Sequence, residues 1–379
     1  SVAVGVGALY TQNFTTATNA YNIAVGRSAG LSVTTGIQNT LIGGLAGDAL
    51  TDADWNVAVG TSALTADTLG SRSVAIGNNA LSTQNFTTAT ASYNTAVGYS
   101  AGVSVSTGTE NTLIGGLAGD ALTDADLNVA VGYLALSSDT LGSASTAIGR
   151  AALFSQNFTT ATNAYNTGVG YGAGSSISTG VQNTLIGGLV GDGLTTGDLN
   201  TKIGYNIQES AVGVDAAIAL GNNFTDAGAN TVRIGTAGGN ATLNLDGSDT
   251  SWAAASDSRL KKDIANSTVG LAFIKDLRPV TFKWNAKDAV ANSLPQYDAD
   301  STDPVYGEGK AHHGFIAQEV KTVIDAHSDV VNGHNLWSKD PDGTQQVSPS
   351  ALVPMLVKAI QEQNALIEAL TVRIATLEG

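Results

Sequence analysis

The chain has no cysteine, and its proline and histidine crowd at one end. All six prolines and all four histidines of its 379 residues lie beyond Ser256. The missing cysteine excludes disulfides, thiolate metal sites and cysteine nucleophiles. Aromatic residues, at 6% of the chain, leave little bulk for a thick core. Basic side chains are scarce: residues 1–250 hold five (Arg27, Arg72, Arg150, Lys202, Arg233) against 16 acidic ones, and the remainder 12 against 16. Both parts are therefore acidic, which excludes the basic footprint of a nucleic-acid binder. The net charge of -15 favours solubility and opposes binding to anionic membranes. No run approaches the ~18 apolar residues of a membrane span. No basic segment followed by an apolar core opens the chain, so no signal peptide is visible. Ser1 is an unusual native start, and the chain reads as a piece of something longer.

What is present is glycine at fixed intervals. Val-Gly or Ile-Gly dipeptides, with one Leu-Gly, place glycines at Gly5, Gly26, Gly43, Gly60, Gly77 and Gly98, and onward to Gly221. Their spacing is 21, 17, 17, 17, and the set recurs three times as a 72-residue super-repeat. Asn39 to Leu50 reads NTLIGGLAGDAL, and so does Asn111 to Leu122. Such repetition predicts a solenoid. A β-branched residue precedes the glycine (Val25, Ile42, Val59, Ile76), and a small one, usually alanine, follows three later (Ala29, Ala46, Ala63, Ala80). Four or five residues of strand cannot bury a face alone, but stacked copies share one core. Glycine at this density, among many Thr, Asn and Val, argues against stacked helices. At roughly 4.8 Å per coil the stack would be about 60 Å long. The Gly-x-x-Ala pattern resembles, in architecture, the head repeats of trimeric autotransporter adhesins, although its spacing is longer. Thin coils of Val, Ile and Ala are expected to bury further apolar surface against other chains.

Each longer coil carries an insert: Gln12-Asn13-Phe14-Thr15-Thr16, Gln84-Asn85-Phe86-Thr87-Thr88 and Gln156-Asn157-Phe158-Thr159-Thr160, followed by Tyr21, Tyr93 and Tyr165. Insertions in solenoid coils gather on one face. Aromatic rings beside Asn and Thr suit sugar contacts, so Phe14, Tyr21, Phe86, Tyr93, Phe158 and Tyr165 are candidate receptor contacts. Packing of the enlarged corner is the simpler expectation. The Asn-Phe-Thr triplets also match glycosylation acceptors, which matters only in a eukaryotic secretory route. Asp48, Asp52 and Asp54, with Asp120, Asp124 and Asp126 and then Asp192 and Asp198, have a calcium-like spacing. Turn chemistry is the expected role of these aspartates, and no metal or cofactor is predicted.

From Trp252 the chain changes character. Leu277 to Trp284 alternates like a strand, residues 285–310 read as a long loop, and Gly314 to Val320 leads into a helix. Leu356, Ile360, Gln363, Ile367, Leu370, Ile374 and Leu377 are spaced 4, 3, 4, 3, 4, 3. That is an a/d seam predicting a parallel coiled coil over 352–378. Ile at a with Leu at d leans toward two strands, and Gln363 sets register; the seam alone leaves dimer and trimer open. Adjacent His312 and His313 point different ways on a strand and suit packing or hydrogen bonding better than a metal.

Ser256-Asp257-Ser258-Arg259-Leu260-Lys261, Leu277-Arg278-Pro279-Val280, His313 to Glu319 (HGFIAQE) and the terminal heptad helix occur in this order. Together they resemble the endosialidase-type C-terminal intramolecular chaperone of phage tail fibres and tailspikes. The resemblance implies a homotrimer, a chaperone that folds the β-rich part before it, and release by autoproteolysis. It makes Ser256 the nucleophile, Ala255-Ser256 the scissile bond and Lys261 the general base. Asp257, Arg259, His313, Gln318 and Glu319 become supporting residues. A serine hydroxyl needs such a base, and lysine serves only when burial or a nearby cation lowers its pKa.

The expected architecture is a mainly β trimeric solenoid over 1–235, a linker over 236–255 and an α+β chaperone module over 256–379. The expected function is a virion tail-fibre component, assembled in the host cytoplasm, attaching to host carbohydrate or protein and joined to upstream tail proteins. The repetitive part is not expected to be an enzyme. The alternatives are a tailspike depolymerase, which needs paired carboxylates across a groove, and a bacterial trimeric surface adhesin.

Overall fold

The computed structural model describes all residues except 246–252, 255–257, 259–260, 293, 295, 307–308, 331–334, 341–342 and 379. It divides into two compact units, Ser1–Ser256 and Asp257–Gly379.

In the first unit each coil contributes a three-residue strand, such as Thr40–Ile42 or Val57–Val59. Each pairs in parallel with the next at the ladder spacing: Leu41 faces Ala58 across a 17-residue coil and Ala75 faces Ala96 across a 21-residue one. Together with later, longer strands they form one sheet of 16 strands. The mainly β solenoid expected from the glycine ladder is the observed fold. Strands lengthen to eight residues at Thr201–Gln208 and Ile218–Thr225. The chain then turns back: Gly239–Asn244 pairs antiparallel with Thr231–Thr236.

Close stacking explains the glycine column. Gly115 holds φ +135°, and a Cβ there would lie 2.5 Å from the carbonyl oxygen of Gly132 in the next coil. No L side chain fits that distance or conformation.

The 72-residue super-repeat arises in the core. The middle residue of each strand points inward and is leucine in one coil of four: Leu41, Leu113 and Leu185, all fully buried. The glycines four residues after the ladder glycine make room for them. A Cβ on Gly102 would lie 2.6 Å from Leu113 Cδ1, and one on Gly119 2.7 Å from Leu113 Cδ2. Where the strand centre is alanine on both sides, the same position holds a buried leucine, as at Leu64, Leu81 and Leu136. These leucines adopt φ of 53–55° at Leu64 and Leu136 and 49° at Leu81. That backbone costs ~1–2 kcal/mol, offset by burial of a whole leucine side chain. Large and small residues thus alternate along the core so that every coil is filled.

A polar column runs beside this one. Asn22, Asn39 and Asn56, and later Asn94, Asn111 and Asn128, sit four residues before the ladder glycine and are fully buried. Asn39 Oδ1 accepts the Asn56 amide N–H at 2.9 Å, while Asn39 Nδ2 donates to the Ala53 carbonyl at 2.7 Å. Each amide therefore ties one coil to the next and also bridges the interior of its own coil.

The second unit packs α1 (Leu271–Asp276), α2 (Ala317–Ala326) and α3 (Leu352–Glu378) around Val269, Phe273, Leu277, Val320, Leu336 and Met355. The expected strand over 277–284 shrinks to Val280–Phe282, pairing with His312–Gly314; Pro279, with no N–H, cannot extend the ladder. Leu352, Met355 and Ala359 are the buried face of α3. Glu362, one turn on, accepts the Leu271 amide N–H at 2.8 Å and closes the start of α1. The predicted seam lies on another face. Ile360, Ile367, Leu370 and Ile374 are 52–64% exposed in the single chain.

Leu113→Ala is expected to destabilise the solenoid by about 2–5 kcal/mol in denaturant titration, because its glycine-lined pocket cannot collapse. Gly119→Ala in the same assay is expected to be destabilising as well, its new methyl meeting Leu113.

Candidate functional site

Ala255, Ser256, Asp257 and Arg259, the centre of the expected cleavage site, lie outside the described residues. Lys261 is described: it is exposed, and its amide N–H donates to the Ser258 carbonyl at 3.1 Å.

Two of the other motif elements meet. Arg278 of the Leu-Arg-Pro-Val segment grips Glu319 with two hydrogen bonds, Nε to Oε2 at 3.0 Å and Nη2 to Oε1 at 2.5 Å. These bonds hold the Glu319 carboxyl below the usual carboxylate range. The pair is largely exposed, so its value is geometric: a two-pronged guanidinium contact fixes the start of α2 against the segment before Val280–Phe282. Gln318 is exposed beside it. The two histidines diverge as expected of a strand. His313 is exposed, while His312 is half-buried and stacks on Phe282 with centroids 5.7 Å apart. Trp284 meets Phe282 edge-on at 5.2 Å and Tyr306 at 4.9 Å. Nε2 of His312 is buried and has no hydrogen-bond partner among the described residues. His327 bridges α1 and the end of α2, with Nε2 2.8 Å from Asp276 Oδ2.

The inserts of the longer coils divide between interior and surface. Phe86 and Phe158 are buried, whereas Tyr21, Tyr93 and Tyr165 are 55–65% exposed. Phe14, in the first copy, is half-buried. The inward placement has a polar cause. Two interior coils carry serine, Ser73 and Ser145, where their neighbours carry the ladder asparagine; Ser1 holds that place in the first coil and Ala217 in the last. There Gln84 reaches in, donating to Ser73 Oγ at 2.9 Å and to Asp67 Oδ2 at 2.6 Å, and accepting from Asn94 Nδ2 at 2.9 Å. Gln156 repeats the arrangement with Ser145, Asp139 and Asn166. The four extra residues thus deliver a longer amide to a coil that lacks its own. Burial raises the Asp67 pKa, although Gln84 and the amides of Phe86 and Gly70 bond the carboxylate.

The acidic repeats clamp neighbouring coils. Asp52 accepts from Thr35 Oγ1 at 2.6 Å, Asp54 from the Ile37 amide at 2.7 Å, Asp124 from Thr107 Oγ1 at 2.5 Å and Asp126 from the Thr109 amide at 2.6 Å. Asp48 is bonded by Thr65, Asp120 by Ser137, Asp192 by Gln208 and Asp198 by the Val181 amide. Among the described residues no cluster of three or more His, Asp or Glu could hold a metal.

One buried charge lies outside every sequence expectation. Lys202 occupies the inward strand position that is Leu185 one coil earlier, and it is fully buried. Its ammonium donates to Glu209 Oε1 at 3.0 Å and Asp226 Oδ2 at 2.8 Å. Burial pushes both carboxyls up. At Asp226 the bonds from Lys202 and Ser210 outweigh burial and hold the pKa below its ordinary value; at Glu209 burial prevails and the pKa is raised. The alignment of Thr201-Lys202-Ile203-Gly204 with Thr184-Leu185-Ile186-Gly187 was the signal available in the sequence.

Residues 256–329 match the family model described as chaperone of endosialidase. This is a family of self-cleaving chaperone domains, and its match begins at Ser256. Comparison with curated proteins and with solved structures gives no match for the chain. Among the described residues no helix is long and apolar enough to cross a membrane.

Lys202→Met should leave two buried carboxylates without their cation and destabilise the chain by about 3–5 kcal/mol at neutral pH. Asp226, with its lowered pKa, contributes stability above its ordinary pKa that is lost as pH falls through the lowered one. Urea titrations of wild type and variant should therefore converge on acidification.

Proposed function

We propose that the chain is part of a phage tail fibre, in which a solenoid engages the host surface after a C-terminal chaperone has assembled it as a homotrimer and cut itself away. The observation that carries this reading is the order of parts: a chaperone-of-endosialidase segment starts at Ser256, directly after a solenoid sheet whose last strand is Ala253–Ala254.

The physics of the solenoid accounts for the need. Its strands are three residues long, and each is stable only on a neighbour already in place. The repeats are near-identical at 72 residues, so a coil stacked on the wrong copy meets almost the right partners. Holding three chains together at their C-termini lets the stack begin in one register. The exposed heptad face of α3 supplies a self-complementary surface for that purpose.

In the proposed cleavage, Lys261 takes the proton of Ser256 Oγ, which attacks the carbonyl carbon of Ala255. The nucleophile belongs to the residue carrying the scissile amide nitrogen, so attack closes a five-membered ring. Collapse breaks the C–N bond, protonates the nitrogen and leaves Ala255 as an ester on Ser256. Water then hydrolyses the ester to an Ala255 carboxylate and a free Ser256. Lysine must be neutral to act, and desolvation of Lys261 on assembly would provide that. Cleavage would thereby wait for folding.

Intact mass and a denaturing gel of the expressed chain should show a product beginning at Ser256. Ser256→Ala should abolish it, and Lys261→Ala should slow it by about 100-fold or more. Normal cutting in either variant would remove the dyad. Accumulated uncut chain in wild type would remove the cleavage itself.

A further inference from the structure

The outward face of the solenoid sheet is apolar along its length. The residue before each ladder glycine is Val, Ile or Leu in every coil, and it points away from the core. Ile42, Ile76, Ile114, Ile148, Ile186 and Ile203 are each 37–42% exposed. Val, Ile or Thr fills the outward position at the other end of each strand, as at Val57, Val74 and Thr95. Aromatic and arginine side chains border this stripe. Arg72 stacks between Trp55 and Tyr93, 4.4 and 5.7 Å from their centroids, and Arg150 between Tyr133 and Tyr171, at 5.9 and 5.5 Å.

The distribution of charge is as telling. The first 250 residues carry 16 acidic side chains against five basic, yet the stripe and its borders hold Arg27, Arg72 and Arg150 and a single acid, Glu110. The exposed aspartates, such as Asp52 and Asp124, sit in the turns that clamp coil to coil. An aliphatic centre depleted of charge, edged by Tyr, Trp and Arg, is the composition of a protein interface core.

We infer that this face is where copies of the chain pack against one another, parallel and in register, along the length of the solenoid. This rests on the assembly proposed above and names the surface that carries it. The identity of the occupant follows from three observations. A homotypic contact is the one in which an acidic protein gains by clearing acids from a single stripe, since every other face repels its copy. The stripe has the coil periodicity, so a partner with the same spacing matches it throughout, and an identical chain has that spacing. The same chain ends in α3, whose exposed heptad face is itself self-complementary, and joining one pair of identical stripes raises the effective concentration of the other. The area is sufficient. About 12 coils at ~4.8 Å, with an outward face about 20 Å wide, offer on the order of 1,100 Å² per copy, above the ~800 Å² per partner of a stable complex.

Cross-linking of the full-length chain, kept uncut by Ser256→Ala, tests the inference against a zero background, because no native cysteine exists. Ile114→Cys places a thiol on the stripe and Thr107→Cys an exposed thiol in a turn away from it. With a short bismaleimide at micromolar protein, Ile114→Cys should give roughly tenfold or more covalent multimer than Thr107→Cys. Light scattering of the unmodified chain separates the two ideas. Multimers by scattering with Ile114→Cys cross-linking no better than Thr107→Cys would overturn the face and leave the C-terminal assembly standing. A monomer by scattering would remove both. A triple variant, Ile76→Glu, Ile114→Glu and Ile148→Glu, should weaken the multimer while α3 still holds chains together. If instead the multimer is undiminished in a variant whose circular dichroism is native, the face is not the interface.

Discussion

A buried side-chain amide in each interior coil is the constraint on which the rest of the solenoid depends. The interior is too thin to bury polar backbone without partners, and an unmet N–H there costs about as much as a lost hydrogen bond. Asn39, Asn111 and their repeats meet the demand twice over, taking an N–H from the next coil and giving to a carbonyl across their own. Because the donating N–H lies 17 residues on and the accepting carbonyl 14, coil length is locked to the reach of one side chain. Where serine replaces asparagine the reach fails, and the coil lengthens until Gln84 or Gln156 spans the gap. The 21-residue coil is the consequence of a missing amide.

Filling the core imposes the second period. A strand-centre leucine cannot coexist with a side chain on the turn beside it, so Gly102 and Gly119 flank Leu113, and alanine centres pair with Leu136. The two rules together, amide reach and volume exchange, set four coils as the unit that closes on itself. Lys202 marks where the pattern ends. Its coil needs carboxylates from Glu209 and Asp226 in place of apolar neighbours, and the strands there grow long enough to hold themselves by backbone bonds.

The periodic part of this was legible. Glycine spacing, the β-branched residue before it and the alanine after it specify a β-solenoid, because only a stacked backbone needs glycine at one corner of every turn. The heptad residues of the last helix were legible for the same reason, since a face is a one-dimensional pattern. What sequence reasoning missed depends on distances between turns. Asn recurs visibly, but its use requires a carbonyl 14 residues away to lie across a closed coil. Packing of the enlarged corner was the simpler expectation for the Gln-Asn-Phe insert, and Phe86 and Phe158 are buried there; what was not legible is that its glutamine fills a place that Ser73 and Ser145 leave open. Of the expected cleavage centre, only Ser258 and Lys261 fall among the described residues, so the structure bears on its surroundings. There the contact between Arg278 and Glu319 shows how two motif segments 41 residues apart become one surface.

The arrangement also accounts for placing a chaperone at the C-terminal end. Starting a stack is costly because a three-residue strand fixes backbone for few bonds, whereas adding to an existing edge gains a full set for each coil ordered. The eight-residue strands at Thr201–Gln208 and Ile218–Thr225, closed by an antiparallel return, offer the most hydrogen bonds for the shortest loop in the solenoid. They and the antiparallel return after them lie between the three-residue strands and the segment that begins at Ser256. A stack seeded there would grow toward the N-terminus by accepting one coil at a time on a formed edge, each coil checked by whether its amide reaches the next. Under the cleavage proposed above, a cut between residues 255 and 256 would fall after Ala253–Ala254, the last strand of the sheet, and would leave all the coil-to-coil pairings on one side of it.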